Sequence, residues 1–330
     1  MVAEMSLAFV VSTGRCGSTL LSSLLRANPD ILSVGELFGL VSIEDRLTGH
    51  LDGPDFWRQI SDPVPYMDTI ARDVLAPAEF RYPYATGRFT PENGVPFISH
   101  MTLPALTDNP DRLYYWLAAI VPSWPIRPVA DHYRHLFALL AEKCGGSVIV
   151  ERTSGSISSV ARIRRAFPEA RFIYLSRDGV DCAWSMSKHP GARLLARTEL
   201  DKASQPSGRS KARTAKKIME SEIPLAAFGN LWSSMTQNGA AELSAIPLER
   251  WTTLRFEQLV QDPATSLRRL ARVLGAAASP GWLLSAVGQI EPARSTCAGP
   301  APDDLAGLRA ACSPGYVADA SLHALHAHLN

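Results

Sequence analysis

With 330 residues, 46% of them hydrophobic and 20% charged, the chain can bury a substantial core. Its formal net charge of +1 provides no global field for DNA or a polyanionic polysaccharide, so any anion site must be local. The five cysteines make an odd count without CxxC spacing, which argues against a disulfide framework and a structural zinc and points to a reducing compartment.

The chain opens with acidic Glu4 and an apolar run too short for a signal peptide, so a cytoplasmic protein is expected. Leu7 to Val11 is an apolar run of β-formers and predicts a buried strand. Gly14 and Gly17 supply the freedom for a tight turn, and a helix begins near Gly17. Its first free N–H groups, the hydroxyls of Ser18 and Thr19 and the guanidinium of Arg15 would converge on one anion. Only Arg15 and Cys16 separate the two glycines and no lysine follows, which disfavours a nucleoside triphosphate loop; GRCGST is not GxGxxG either. Asn28-Pro29-Asp30 is a turn, and Ile31 to Val34 a short strand ending at Gly35-Glu36. From residue 37 to about 147 clear periodicity is lost among prolines and aromatics, which reads as one long insertion.

Regular α/β signals return with strand Ser147 to Val150, a helix from about Ser158 to Phe167 and strand Arg171 to Leu175. Ser176 to Gly179 forms a second turn and Val180 to Ser187 a helix, which sets Arg177 and Ser185 two turns apart, placed to close on one phosphate. Residues 190–222, most of all Gln205 to Lys217, read as a mobile basic segment. Strand Thr252 to Arg255 leads to Asp262-Pro263 and a helix ending near Gly275. The stretches Leu113 to Val121 and Leu274 to Ile290 are too short or too broken to span a bilayer, and there is no internal repeat. Two anion-binding turns on neighbouring parallel strands suit a nucleotide with phosphates at two positions.

These motifs resemble those of sulfotransferases that use 3′-phosphoadenosine 5′-phosphosulfate. GRCGSTL is similar to that family's PRSGTTL-like phosphosulfate loop, and RDGVDCAWS to its RDPxDxxxS-like 3′-phosphate motif. The resemblance looks closest to the tyrosylprotein type and its bacterial relatives. Asn28-Pro29-Asp30 with Gly35-Glu36 is similar to HPDxxxGEE, Glu151-Arg152-Thr153 to the KTP element, Phe167 to Phe172 to FPxAKF, Arg255 to Val260 to RYEQLV, and Ile290 to Thr296 to a late IERST segment. It implies a three-layer α/β fold of the P-loop NTPase type, with a central parallel sheet, over a single domain of residues 1–330. Residues 37–147 would be an acceptor-binding insertion or lid, mostly helical or irregular.

By that resemblance Glu36 is the catalytic base. Arg15 and Arg152 gather around the sulfonate and bridging oxygen, and Ser295 donates to the leaving oxygen. The donor would be held by Arg15, Cys16, Gly17, Ser18, Thr19, Arg177, Ser185, Ser295 and Thr296, with 3′-phosphoadenosine 5′-phosphate as product and no metal. Cys16 departs from the loop's usual serine, Phe256 from the tyrosine of RYEQLV, and Ser154 stands where some relatives place a histidine. Readings without this chemistry remain for single residues, a helix cap for Glu36 and an ordinary ion pair for Glu151–Arg152. His100 and His189 are the alternative bases. The expected acceptor is a hydroxyl of an apolar small molecule, a lipid, polyketide or phenolic; no nucleic acid is expected, and a homodimer is left open. A tyrosyl peptide acceptor, a kinase-like phosphoryl transferase and a silent nucleotide-binding module are the competing readings.

Overall fold

The structure, a computed structural model, describes residues 6–39, 46–73, 76–204, 215–290 and 300–327. Five parallel strands form the central sheet: β1 (Ser6–Val11), β2 (Ile31–Gly35), β5 (Val148–Arg152), β6 (Arg171–Ser176) and β7 (Trp251–Arg255), in spatial order β2-β5-β1-β6-β7. A two-stranded antiparallel ladder, β3 (His50–Leu51) with β4 (Arg127–Pro128), stands apart from it. The helices are α1 (Ser18–Arg26), α2 (Gly53–Ser61), α3 (Pro65–Asp73), α4 (Phe97–His100), α5 (Pro110–Ile120), α6 (Val129–Cys144), α7 (Val160–Ala166) and α8 (Gly179–Met186). They continue as α9 (Pro190–Ser204), α10 (Ala215–Glu220), α11 (Leu225–Ser244), α12 (Phe256–Gln261), α13 (Pro263–Leu274), α14 (Pro280–Gly288) and α15 (Pro302–His326).

Burial on both faces explains why the strand sequences are continuously apolar rather than alternating. Leu7, Phe9 and Val11 of β1 enter one core cluster while Ala8 and Val10 enter the other, and β6 divides in the same way, Phe172 and Tyr174 against Ile173 and Leu175. The period of two therefore makes a three-layer fold, with a core on each face. It also sends Glu151 and Arg152 of β5 to opposite faces. Local chemistry sets the helix ends: Asp178 caps α8 by accepting from the Asp181 N–H, and Asp262 caps α13 by accepting from the Thr265 N–H. Gly275 ends α13 in the left-handed conformation at φ 76°.

The aperiodic stretch is the connection that carries the chain from β2 to its parallel neighbour β5. Phe56, Ile60, Phe97, Leu113, Leu117, Tyr133 and Phe137 are buried there as the bulk of one core layer. Most of its aromatics pack on one another, Phe38 edge-on to Tyr133 at 4.9 Å and Phe89 edge-on to Tyr114 at 4.9 Å. Of the basic segment, residues 190–204 and 215–220 are helical, and 205–214 lie outside the described residues. No described helix is long and apolar enough to cross a membrane.

On the other face α11 lies against α15, with Trp232 wholly buried between Gly179 and Gly315. A Cβ on Gly315 would stand 2.3 Å from the Trp232 ring and 2.9 Å from the Ser233 Cα. Helix propensity alone favours alanine over glycine by about 1 kcal/mol, but overpacking against a buried ring and a backbone costs about 1–3 kcal/mol. Gly315→Ala should therefore lower the melting temperature by several degrees. Gly307→Ala in the same helix, where a new Cβ meets nothing within 4 Å, should raise it or leave it unchanged; differential scanning calorimetry on both variants decides.

Candidate active site

The first turn leaves β1 at its carboxyl end and enters α1 through a left-handed run, Gly14 at φ 82°, Arg15 at 59° and Gly17 at 84°. Arginine in this region carries a strain of about 1–3 kcal/mol, and the turn holds it there. No side chain caps the N-terminus of α1, and its first turn holds no acidic residue, which leaves that end suited to an anion. Cys16 points the other way: it is wholly buried, near Ser12 and under its own N–H and that of Ser18, and burial pushes its thiol up. Only its backbone faces a ligand.

Arg15 leans toward the second turn, its Nε donating to the Ser185 Oγ at 3.1 Å, and its Nη1 donates to Glu79. Ser185 is thus joined to Arg15, while Arg177 pairs with Asp181 at 2.9 Å and lies over the Phe256 ring at 4.8 Å. Phe256 in turn covers the loop, since a Cβ on Gly17 would fall 2.1 Å from its ring. Arg177 and Ser185 are accordingly held by different partners, and the two turns are connected through the Arg15–Ser185 bond and the Phe256 ring.

Glu36 follows β2, also left-handed at φ 57°. Its N–H donates to the Arg152 carbonyl at 2.8 Å, and its carboxylate accepts from the Arg152 Nη1, from the Ser154 Oγ at 2.6 Å and from the Ser154 N–H at 3.2 Å. Oε1 takes the Arg152 and hydroxyl bonds, which leaves Oε2 the less occupied oxygen. Both charged side chains of the pair are only 8% exposed. Behind them, buried Glu151 accepts from the Thr153 Oγ1 at 2.6 Å and the Leu37 N–H at 3.3 Å. Burial, with the nearby Glu36 charge, pushes Glu151 up to about 8.

Arg15, Glu36 and Ser154 open onto one cavity of about 270 Å³. Its remaining wall is mostly apolar, with Ile70, Phe80, Phe97, Met101, Met186, Leu195 and Met235 among the lining residues, and Glu79 and His189 stand at the Arg15 end. Burial works against ionisation of Glu79, but the Arg15 guanidinium prevails and holds its carboxyl below the ordinary value. His189 is pushed down to about 4 by burial and by Arg15. His100 has no accessible surface, bonds the Tyr84 hydroxyl at 2.9 Å and is not part of the cavity wall; burial lowers it to about 4. Ser295 and Thr296 lie outside the described residues. Glu79 and the clamp by Ser154 could not be read from the sequence, because Glu79 falls in the aperiodic stretch and a lone serine after Arg152 carries no signature.

A sequence profile of the sulfotransferase family matches residues 8–280. The chain belongs to the sulfotransferase family. Among solved structures, this sulfotransferase is similar to the sulfotransferase domain from the curacin biosynthetic pathway, with 17% identity over 86% of this chain and 77% of that one at a TM-score of 0.45. It is similar also to the sulfotransferase domain of the Synechococcus PCC 7002 olefin synthase, with 16% identity over 92% of this chain and 94% of that one at 0.43. A sulfotransferase from Alicyclobacillus acidocaldarius shares 15% identity over 96% and 94% of the two chains at 0.40. Comparison with curated proteins gives no match.

The titrations have opposite signs. Glu151 keeps its proton to about pH 8 when folded but releases it near its ordinary 4.5 when unfolded, so stability falls as pH rises between those values. His100 and His189, lowered from 6.5 to about 4, cost stability as pH falls through that window. Glu151→Gln should remove the alkaline loss, so that its melting temperature exceeds that of the wild type by a margin that grows from pH 5 to pH 8. The gain at pH 8 should be on the order of a few kcal/mol, and a margin independent of pH would contradict the assignment.

Proposed function

We propose that the protein transfers a sulfuryl group from 3′-phosphoadenosine 5′-phosphosulfate to a hydroxyl of an apolar small molecule, with Glu36 as the base. The observation that carries this reading is the position of Glu36, where the wall of an apolar cavity meets the anion-binding turn of Thr13, Gly14 and Arg15. The residues present fit the donor, because the uncapped N-terminus of α1 offers N–H groups without a competing carboxylate. Arg15, Gly17, Ser18 and Thr19 would hold the 5′ end and Arg177 the 3′-phosphate, with Ser185 fixing Arg15. The donor supplies the sulfuryl group, and the chain supplies position, charge and a proton acceptor.

Arg15 and Arg152 favour the negative charge that develops on the leaving and transferring oxygens. Glu36 receives the acceptor's proton at Oε2, the oxygen its clamp leaves open to hydrogen bonding. Ser154 and Arg152 orient that carboxylate, and the left-handed backbone aims it. The apolar wall suits the body of a lipid, polyketide or phenolic acceptor and excludes water, which strengthens each of these interactions.

Transfer of radiolabelled sulfate to acceptors from apolar extracts tests the activity, together with calorimetry for the product nucleotide. Glu36→Gln should lower turnover by at least about a hundredfold while largely sparing nucleotide affinity. Arg177→Ala should weaken 3′-phosphoadenosine 5′-phosphate far more than the analogue without the 3′-phosphate. A preference for ATP would overturn the donor, and full turnover by Glu36→Gln the base.

A further inference from the structure

Glu36 and Glu79 also border a second, smaller cavity, on the side of α1. Thr19, Ser22 and Arg26 line it from one face of that helix, as their spacing dictates, and Arg81 and Arg152 complete its polar wall. Arg152 is taken by Glu36, and Arg15 by Glu79. Arg26 and Arg81 are not so matched: among the described residues neither guanidinium has a carboxylate partner, and the buried Arg26 Nε makes no hydrogen bond. Among the described residues that line the two cavities, Arg15, Arg26, Arg81 and Arg152 therefore share the carboxylates of Glu36 and Glu79, since Glu151 keeps its proton at neutral pH. Burial and the like charges of Arg81 and Arg152 press the Arg26 guanidinium downward from its ordinary value.

Neither Arg26 nor Arg81 lines the main cavity that Arg15 and Glu36 share, and on the sulfotransfer reading a sulfonate would meet Arg15 and Arg152 instead. The space beside them is about 10 Å³, room for one water-sized atom, so a planar carboxylate, the smallest of these oxyanions, suits it better than a tetrahedral phosphate or sulfate. We propose that Arg26 and Arg81, with the hydroxyls of Thr19 and Ser22, form a carboxylate subsite, and that the acceptor is an apolar hydroxy acid. Its apolar body occupies the main cavity, its carboxylate meets the arginines, and its hydroxyl lies between them at Glu36. The hydroxyl's place rests on the sulfotransfer reading above; the carboxylate subsite does not.

Calorimetry with decanoate and with 1-decanol, each in the presence of 3′-phosphoadenosine 5′-phosphate, measures the subsite without turnover. Decanoate should bind about tenfold or more tightly than the alcohol, the ratio expected for a charge-assisted contact. Arg81→Gln, at an exposed position, and Arg26→Gln should each bring decanoate to the level of 1-decanol and leave binding of the alcohol unchanged. Equal binding of acid and alcohol by the wild type, no binding of either, or an acid preference that survives both substitutions would overturn the proposal. In a second arm, hydroxydecanoates should accept radiolabelled sulfate at lower KM than their methyl esters, and the advantage should vanish in Arg81→Gln. Failure of every acceptor while the decanoate preference persists would overturn the sulfotransfer reading and uphold the subsite.

Discussion

The site depends on one pair, Glu36 and Arg152, brought together by strands 116 residues apart in sequence. In the parallel register Gly35 lies beside Arg152, so the next residue meets Arg152 twice, backbone to backbone and side chain to side chain. Leaving either charge of a buried pair without its partner costs about 3–5 kcal/mol, so the pair fixes the register as well as the chemistry. Ser154 then makes the clamp asymmetric. Without it the carboxylate could rotate onto Arg152 with both oxygens and present neither to the cavity.

Arg15 depends on this arrangement from the opposite side. Its partners, Ser185 from α8 and Glu79 from the long connection, lie on segments that the sheet alone would not bring together. The guanidinium cannot keep Glu79 at full strength and also hold a sulfonate, so an incoming anion must weaken that contact. Glu79 and His189 stand with Arg15 at one end of a mostly apolar cavity. The neutral state of His189 follows from the same Arg15 charge together with burial.

Much of this was legible because it is local. The apolar run Leu7 to Val11, the Gly14 and Gly17 turn, the Gly35-Glu36 strand tip, the cap at Asp262 and the stop at Gly275 each depend on neighbours within a few residues, and the structure has each where the sequence put it. The parallel sheet followed from those elements. The connection between β2 and β5 was illegible because all but one of its described helices have eleven residues or fewer and irregular segments part them, so each carries its period over too few turns to stand out. Its aromatics show the consequence: Tyr66, Phe80 and Phe97 reach the cavity, while Trp57, Phe89 and Tyr114 pack among themselves. Glu79, Arg81 and the clamp by Ser154 required knowing which segments meet, and that is decided by long-range packing.

Phe256 shows how a residue read as a loss acquires a role from its surroundings. As a replacement for tyrosine it lacks a hydroxyl, yet its ring meets Gly17 and also lies under the Arg177 guanidinium. Gly17 is needed there twice, for its positive φ and for the space the ring occupies. The ring also holds Arg177 beside the first turn by a cation–π contact, worth about 0.5–2 kcal/mol depending on desolvation. A hydroxyl would add nothing to either contact, since the guanidinium lies over the ring and Gly17 meets its Cδ2–Cε2 edge, away from the para position. What couples the two turns is thus an aromatic ring together with the bonds that Arg15 makes to the following helix, its Nε donating to the Ser185 Oγ and its carbonyl accepting from the Cys182 thiol, so their spacing is built into the fold.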